Sequence, residues 1–192
     1  MNKQHYEEFL KTLLGKRQIP LHGEIDRDCF EMVSRSLMYL NAKDPGAEIK
    51  LLIDSGGGNV GYGLAVYDAV VSSPAPVTGI VMGPAHSMAA VVLQGCTKRI
   101  ATSNSNICVH NISTRVEISL TLVKDNVYAY GELDLEKMHR DLSKDAKKLQ
   151  SICKIISLRS RLAPSVVIDM LNSGNVISAE DALELGLIDE VI

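Results

Sequence analysis

Residues 83–110 read GPAHSMAAVVLQGCTKRIATSNSNICVH. A Gly-Pro turn leads to Ser87, small and apolar residues follow, and a short apolar strand ends on His110. Just upstream, residues 53–59 read IDSGGGN, a glycine-rich turn after an apolar strand. These are the parts acyl transfer requires: a hydroxyl to attack, an imidazole to take its proton, and backbone N–H groups to hold the developing oxyanion. Each part alone has an ordinary reading. A serine at a helix start is commonly an N-cap, three glycines are commonly a tight turn, and a histidine closing a strand is commonly structural. Their conjunction is the signal.

Working outward, residues 48–53 (EIKLLI) form a strand, 55–59 a turn, and Val60, Leu64, Tyr67 and Val71 mark one face of a helix that Pro74 and Pro76 end. A second strand at 77–82, a turn at Gly83 and Pro84, and a helix over 87–94 repeat the pattern. Short strands follow at 99–102 and 107–110. Successive β-turn-α units predict an α/β fold on a parallel sheet with right-handed crossovers. Ligand sites in such folds lie where strands run into helix N-termini, which is where both glycine turns fall.

The flanks read as follows. Residues 1–16 carry Phe9, Leu10, Leu13 and Leu14 and suit a terminal helix or arm, and 18–22 suit a strand. Asp26 or Asp28 caps a helix with Val33, Leu37 and Leu40 on one face, ended by Asp44-Pro45-Gly46. Residues 112–130 alternate around KDN as a β-hairpin, and Leu135 to Ile156 mark a long amphipathic helix. Pro164 opens a helix to Leu171, and 172–175 (NSGN) read as a loop. SAED at 178–181 resembles a capping box, and Gly186 closes that helix before a terminal LIDEVI strand. At 192 residues, with no interior linker, residues 1–192 are expected to form a single domain.

Composition narrows the function classes. With 46% apolar and 22% charged residues and no Trp, the core has to be aliphatic. A net charge of −3 gives no electrostatic reason for nucleic acid or an anionic membrane as partner. Cys29, Cys96, Cys108 and Cys153 lack paired spacing and read as buried free thiols of a reducing compartment. No apolar run approaches membrane-spanning length and the first residues do not read as a signal peptide, so the expected compartment is cytoplasmic. The SGGG turn lacks the lysine and Ser/Thr of a phosphate loop, and no histidine pair has metal-ligand spacing with a carboxylate. No cofactor or metal is expected.

Ser87 is the expected nucleophile, with the Met88 N–H at the helix start pointing to the same spot. His110 is preferred over His86 as its base, because adjacent side chains at a sharp turn diverge. His5, His22 and His139 have no supporting context.

IPLHGEID (19–26), LLIDSGGGNVGYGLAVYDAV (51–70), residues 83–110 and ISAEDALELGLIDEVI (177–192) together resemble the ClpP family of serine peptidases, in order, from about residue 18 to 192. The resemblance implies a ClpP/crotonase-like spiral of β-β-α units. A protruding handle, a long helix plus hairpin, would span 112–160. It also implies homo-oligomeric stacked rings, heptamer-based, around a chamber where peptides or unfolded proteins are cleaved, fed by a separate ATPase unfoldase. By the same resemblance Ser87 matches the nucleophile and His110 the general base. Met88 and the paired glycines Gly57 and Gly58 match the oxyanion hole, with Gly58 preferred over Gly57 as the donor.

The departures from that family are specific. Gly56 stands where the family usually has proline. Counting back four residues from Ser178, where the family carries its triad aspartate, lands on Gly174. Asn172, Asn175 and Asp169 are the nearest candidates for a third member, since an Asn oxygen can fix an imidazole tautomer without supplying charge. The 112–130 segment is longer than the family's, and the axial-pore segment before the first strand is truncated or replaced, which bears on docking to an ATPase. Two other readings stand beside the peptidase: a catalytically impaired structural ring subunit, which Gly174 favours, and a crotonase-fold enzyme acting on acyl-CoA thioesters. A Ser–Lys mechanism through Lys98 or Lys124 has no supporting motif.

Overall fold

Strands rich in Ile, Leu and Val are what a parallel sheet packed against helices demands. In the computed structural model, which describes residues 3–112, 120–123, 126–129 and 135–192, they form that sheet. After helix α1 (Lys3–Gly15) come β1 (Gln18–Ile25), α2 (Arg27–Lys43), β2 (Ile49–Gly58), α3 (Val60–Val71), β3 (Val77–His86), α4 (Met88–Gln94), β4 (Lys98–Ala101) and β5 (Asn106–Cys108). Beyond them lie β6 (Leu120–Val123), β7 (Asn126–Ala129), α5 (Leu135–Ser160), α6 (Pro164–Ser173), β8 (Val176–Ser178), α7 (Ala179–Glu184) and β9 (Glu190–Val191). The expected α/β class holds: β1-β2-β3-β4-β9 pair in that order and all in parallel, and β5 adds to β3.

Several helix ends follow from local chemistry. The Asp26 carboxylate accepts the Cys29 N–H at 2.9 Å and caps α2, so Asp26 and not Asp28 is the cap. Asn59 caps α3 by accepting from Gly61 and Tyr62 N–H groups. Ser178 caps α7 by accepting the Asp181 N–H at 3.1 Å, while its own hydroxyl donates to the Asp181 carboxylate. The serine half of the expected box forms, while the acid takes the Ser178 hydroxyl and not its backbone N–H.

Several boundaries differ from the sequence reading: β1 runs on to Ile25, and β5 stops at Cys108, so His110 lies beyond the strand it was expected to end. β2 and β3 run on through the stretches read as turns, because a neighbouring strand supplies partners: Glu24 and Ile25 pair Gly57 and Gly58, and Ser55 pairs Ala85. The register shifts between Ile53 and Ser55 absorb the change of path. Of the stretch 172–175 read as a loop, Asn172 and Ser173 belong to α6 and Gly174 caps it in the left-handed region at φ 59°; just beyond, Val176–Ser178 form β8, antiparallel to β5. The terminal strand is two residues long, not six. Of the 112–130 hairpin, β6 and β7 pair antiparallel from Leu120↔Ala129 to Val123↔Asn126, so Asn126 belongs to the strand; 113–119, 124–125 and 130 lie outside the described residues.

α4 is buried along its whole length, from Met88 to Gln94, and shares the core with Ile19, Leu21, Ile53, Val66, Ile107 and Ile156. Only Cys96 and Cys108 of the four free thiols are buried; Cys29 and Cys153 are partly exposed because they sit on the rims of α2 and α5. Burial pushes the Cys96 thiol up to about 12 and, with help from Asp26, the Cys29 thiol to about 11. Neither is a nucleophile at neutral pH.

One polar network ties the chain's end to the sheet. The buried Arg99 guanidinium on β4 donates to Asp189 at 2.5 and 3.1 Å, to Gln94 Oε1 at 2.7 Å and to the Gly186 carbonyl at 2.9 Å. Burial opposes ionisation of Asp189, but the Arg99 hydrogen bonds and charge outweigh it and hold its pKa below the ordinary value. Asp189→Ala would leave Arg99 buried without its counter-charge. A loss of about 2–3 kcal/mol is expected, less than for a fully buried pair because Asp189 is partly exposed. Chemical denaturation at pH 7 measures it. A lowered carboxylate pKa gives stability that is present above its unfolded value and lost as pH falls through the folded one. The difference between parent and variant should therefore shrink below about pH 4.

Candidate active site

Strand register brings the sequence-predicted parts together. β3 pairs with β4 over Thr78–Val81 and then with β5 over Pro84–His86, so its end runs beside β5. His86 lies opposite Cys108, which sets Ser87 just past one strand and His110 just past the other. The Ser87 N–H donates to the Cys108 carbonyl at 2.7 Å and locks that junction. Ser87 itself has φ 54° and ψ −122° and makes no side-chain cap bond. A positive φ in a residue with a Cβ costs about 1–3 kcal/mol, and the turn lifts the hydroxyl away from the helix it precedes.

Below it lies the glycine turn. A Cβ on Gly57 would stand 2.7 Å from Ser87 Cβ and from the His86 carbonyl, and one on Gly58 would stand 2.6 Å from the Ile25 carbonyl. Both also have positive φ, so glycine is required twice over. Ser55, buried and unremarked in the sequence, fixes the turn: its hydroxyl donates to the Gly23 carbonyl at 2.5 Å and accepts the Gly57 N–H at 3.0 Å. The Gly57 N–H is therefore occupied. Met88 opens α4, where an N–H has no intrahelical acceptor.

Gly58, Ser87, Met88 and His110 line one cavity of about 180 Å³, whose remaining walls are Val60, Val91, Val109, Asn111, Ile112, Ile152 and Leu171. A larger cavity of about 820 Å³ adjoins it between α5 and α6, sharing Asn111, Ile112 and Leu171. Ser87 is half-buried and His110 exposed. His110 Nδ1 lies 2.7 Å from the main-chain carbonyl of Asn111. Among the described residues no carboxylate is hydrogen-bonded to His110.

The candidates for a third member fall as follows. Asn172, on the last turn of α6, accepts from Asn111 Nδ2 at 2.7 Å and does not bond the imidazole. Asp169 and Asn175 are exposed, and neither is hydrogen-bonded to His110. Gly174 sits beside the histidine: a Cβ there would lie 3.4 Å from His110 Cβ. His86 is turned to Asn106 Oδ1 at 2.5 Å, and His22, which had no support in the sequence, pairs with Asp54 at 2.8 Å on the exposed face of β1 and β2. The His22–Asp54 pair could have been suspected only from the register of two parallel strands. Among the described residues no group of His, Cys, Asp or Glu could hold a metal, and no helix is long and apolar enough to cross a membrane.

The Clp protease family model matches residues 1–192. The chain belongs to the Clp protease family. Membership brings the α/β fold and a general peptidase character, in a family whose members form oligomeric rings.

The close approach at Gly57 can be tested directly. Gly57→Ala should destabilise the protein by about 2 kcal/mol or more, since strained φ and a backbone clash act together. A thermal melt that left the midpoint unchanged would contradict this account of the turn.

Proposed function

We propose that this chain is a serine endopeptidase subunit, one domain over residues 1–192, that cleaves peptides or unfolded proteins inside a ring-shaped chamber. The observation that carries the reading is the shared cavity: Ser87 on a strained turn, with His110, Gly58 and Met88 around the same space. His110 Nε2 takes the Ser87 proton as Oγ bonds to the scissile carbonyl carbon. Gly58 and Met88 N–H groups hold the oxyanion, while Gly57, buried against Ser87, keeps the turn tight beneath the nucleophile. The imidazolium then gives its proton to the leaving amine, and water, deprotonated by the same nitrogen, hydrolyses the acyl-enzyme. No metal or cofactor enters these steps.

The apolar walls of the cavity support an apolar side chain before the scissile bond. Peptides with Leu or Met at that position should be cleaved at least about tenfold faster than the same peptides with Asp, since the cavity offers a carboxylate little solvation. Equal kcat/KM for the two series would remove this part of the reading.

We further propose homo-oligomeric stacked rings, heptamer-based, with peptide or unfolded-protein substrate supplied by a separate ATPase unfoldase and a cytoplasmic location. The replaced segment before β1 bears on that ATPase contact. A second reading, a ring subunit with impaired turnover, is favoured by one observation: His110 has a carbonyl, not a carboxylate, at Nδ1.

A serine-directed fluorophosphonate followed by peptide mass spectrometry separates the two. The expected result is one adduct at Ser87 in the assembled protein, abolished in Ser87→Ala and in His110→Ala, with peptide cleavage lost in both. An unlabelled Ser87 in assembled rings would decide for the impaired subunit. Turnover of a CoA thioester indifferent to the probe would point to the acyl-CoA reading instead.

A further inference from the structure

We propose that the main-chain carbonyl of Asn111, clamped by the Asn111–Asn172 amide pair, orients the imidazole of His110 in place of a carboxylate. The inference rests on reading Ser87 and His110 as the catalytic pair. A carbonyl oxygen can only accept a hydrogen bond. The 2.7 Å contact to it therefore requires that His110 Nδ1 carry hydrogen, which leaves Nε2 as the nitrogen able to accept the serine proton. That tautomer is the one a general base needs.

A bond from a side chain to the next residue's carbonyl has a defined direction only if the residue carrying that carbonyl is held. Asn111 is held twice, each time by the last turn of α6. Its N–H donates to the Leu171 carbonyl at 2.9 Å, and its Nδ2 donates to Asn172 Oδ1 at 2.7 Å. Leu171 is buried, so α6 is itself anchored in the core. Asn172 thus acts on the imidazole through Asn111; it is a positioning residue. The space beside His110 that a side chain at position 174 would enter is left open by glycine. A neutral carbonyl fixes the tautomer and brings no charge to the imidazolium, so the site runs with orientation alone.

The test combines fluorophosphonate labelling of Ser87 with kcat and KM on one peptide, for the assembled parent, Asn111→Ala, Asn172→Ala, Asn172→Asp and the double alanine variant. Each single alanine variant should lower kcat about tenfold with KM unchanged, as a loss of alignment does. The double variant should be no slower than either single one, because both break the same contact. Asn172→Asp keeps an oxygen for Asn111 Nδ2 and should recover most of the loss.

Gly174→Asp is the complementary variant, since Asp tolerates left-handed φ better than most residues. Its carboxylate should take over Nδ1, raise kcat, and reduce the effect of Asn172→Ala to under about threefold. Parent-like kcat in both single alanine variants, or multiplicative losses in the double, would overturn the inference while Ser87 still labelled. An Asn172→Ala loss undiminished by Gly174→Asp would overturn it as well. Unlabelled Ser87 in the parent would instead remove the peptidase reading, and this inference with it. Asn111→Ala reads the same contact from the other side should Asn172→Ala fail to assemble.

Discussion

Strand β3 carries the whole arrangement, because it is long enough to have two successive neighbours on one side. Its first half pairs with β4 and its second with β5, while β2 lies along the other edge. Parallel pairing fixes where each strand ends relative to the next. Once Ser55 is set against Ala85 and His86 against Cys108, Ser87 has to turn sharply between the glycines of β2 and the end of β5. The positive φ at Ser87 follows from that constraint. Its cost is offset by α4, which begins at the next residue and buries every side chain it has.

The same packing explains why the glycines cannot be exchanged. Gly57 faces Ser87 and Gly58 faces Ile25, each closer than a Cβ allows. The Ser55 hydroxyl, satisfied both as donor and as acceptor, keeps the turn from relaxing in the absence of water. A rigid floor is what an oxyanion site needs, since donors that have to move at the moment of reaction stabilise charge less. The thiols nearby do not compete for the chemistry: burial raises the pKa of Cys108, whose Sγ donates to the Gly174 carbonyl at 3.3 Å.

Much of this was legible in the residues. Ser87, His110 and the three glycines stand in recognisable local patterns, and the βα alternation from residue 48 to 94 gives the parallel sheet by periodicity alone. The helix cap at Asp26 and the closing Gly186 are also local signals, decided within three or four residues. What was read wrongly lay at junctions. Glycine, proline and alanine near the ends of β2 and β3 look like turn residues, yet they pair as strands because a neighbour distant in sequence supplies the partner. The stretch 172–175 looks like a loop, yet its first two residues complete α6, and β8, which follows it, forms because its partner β5 is distant in sequence.

The sequence by itself determined the chemistry on offer: which side chains can attack, which can accept a proton, and which backbone positions can do without a Cβ. These are properties of single residues and short spacings, and they survive without coordinates. Only the tertiary structure decided how the imidazole is held. Asn111 is adjacent to His110 in the chain, but its carbonyl acquires a direction from Leu171 and Asn172, about sixty residues later. Hydrogen-bond direction depends on where two elements meet, and that is set by the packing of α6 against α5 and the core, which no local pattern encodes.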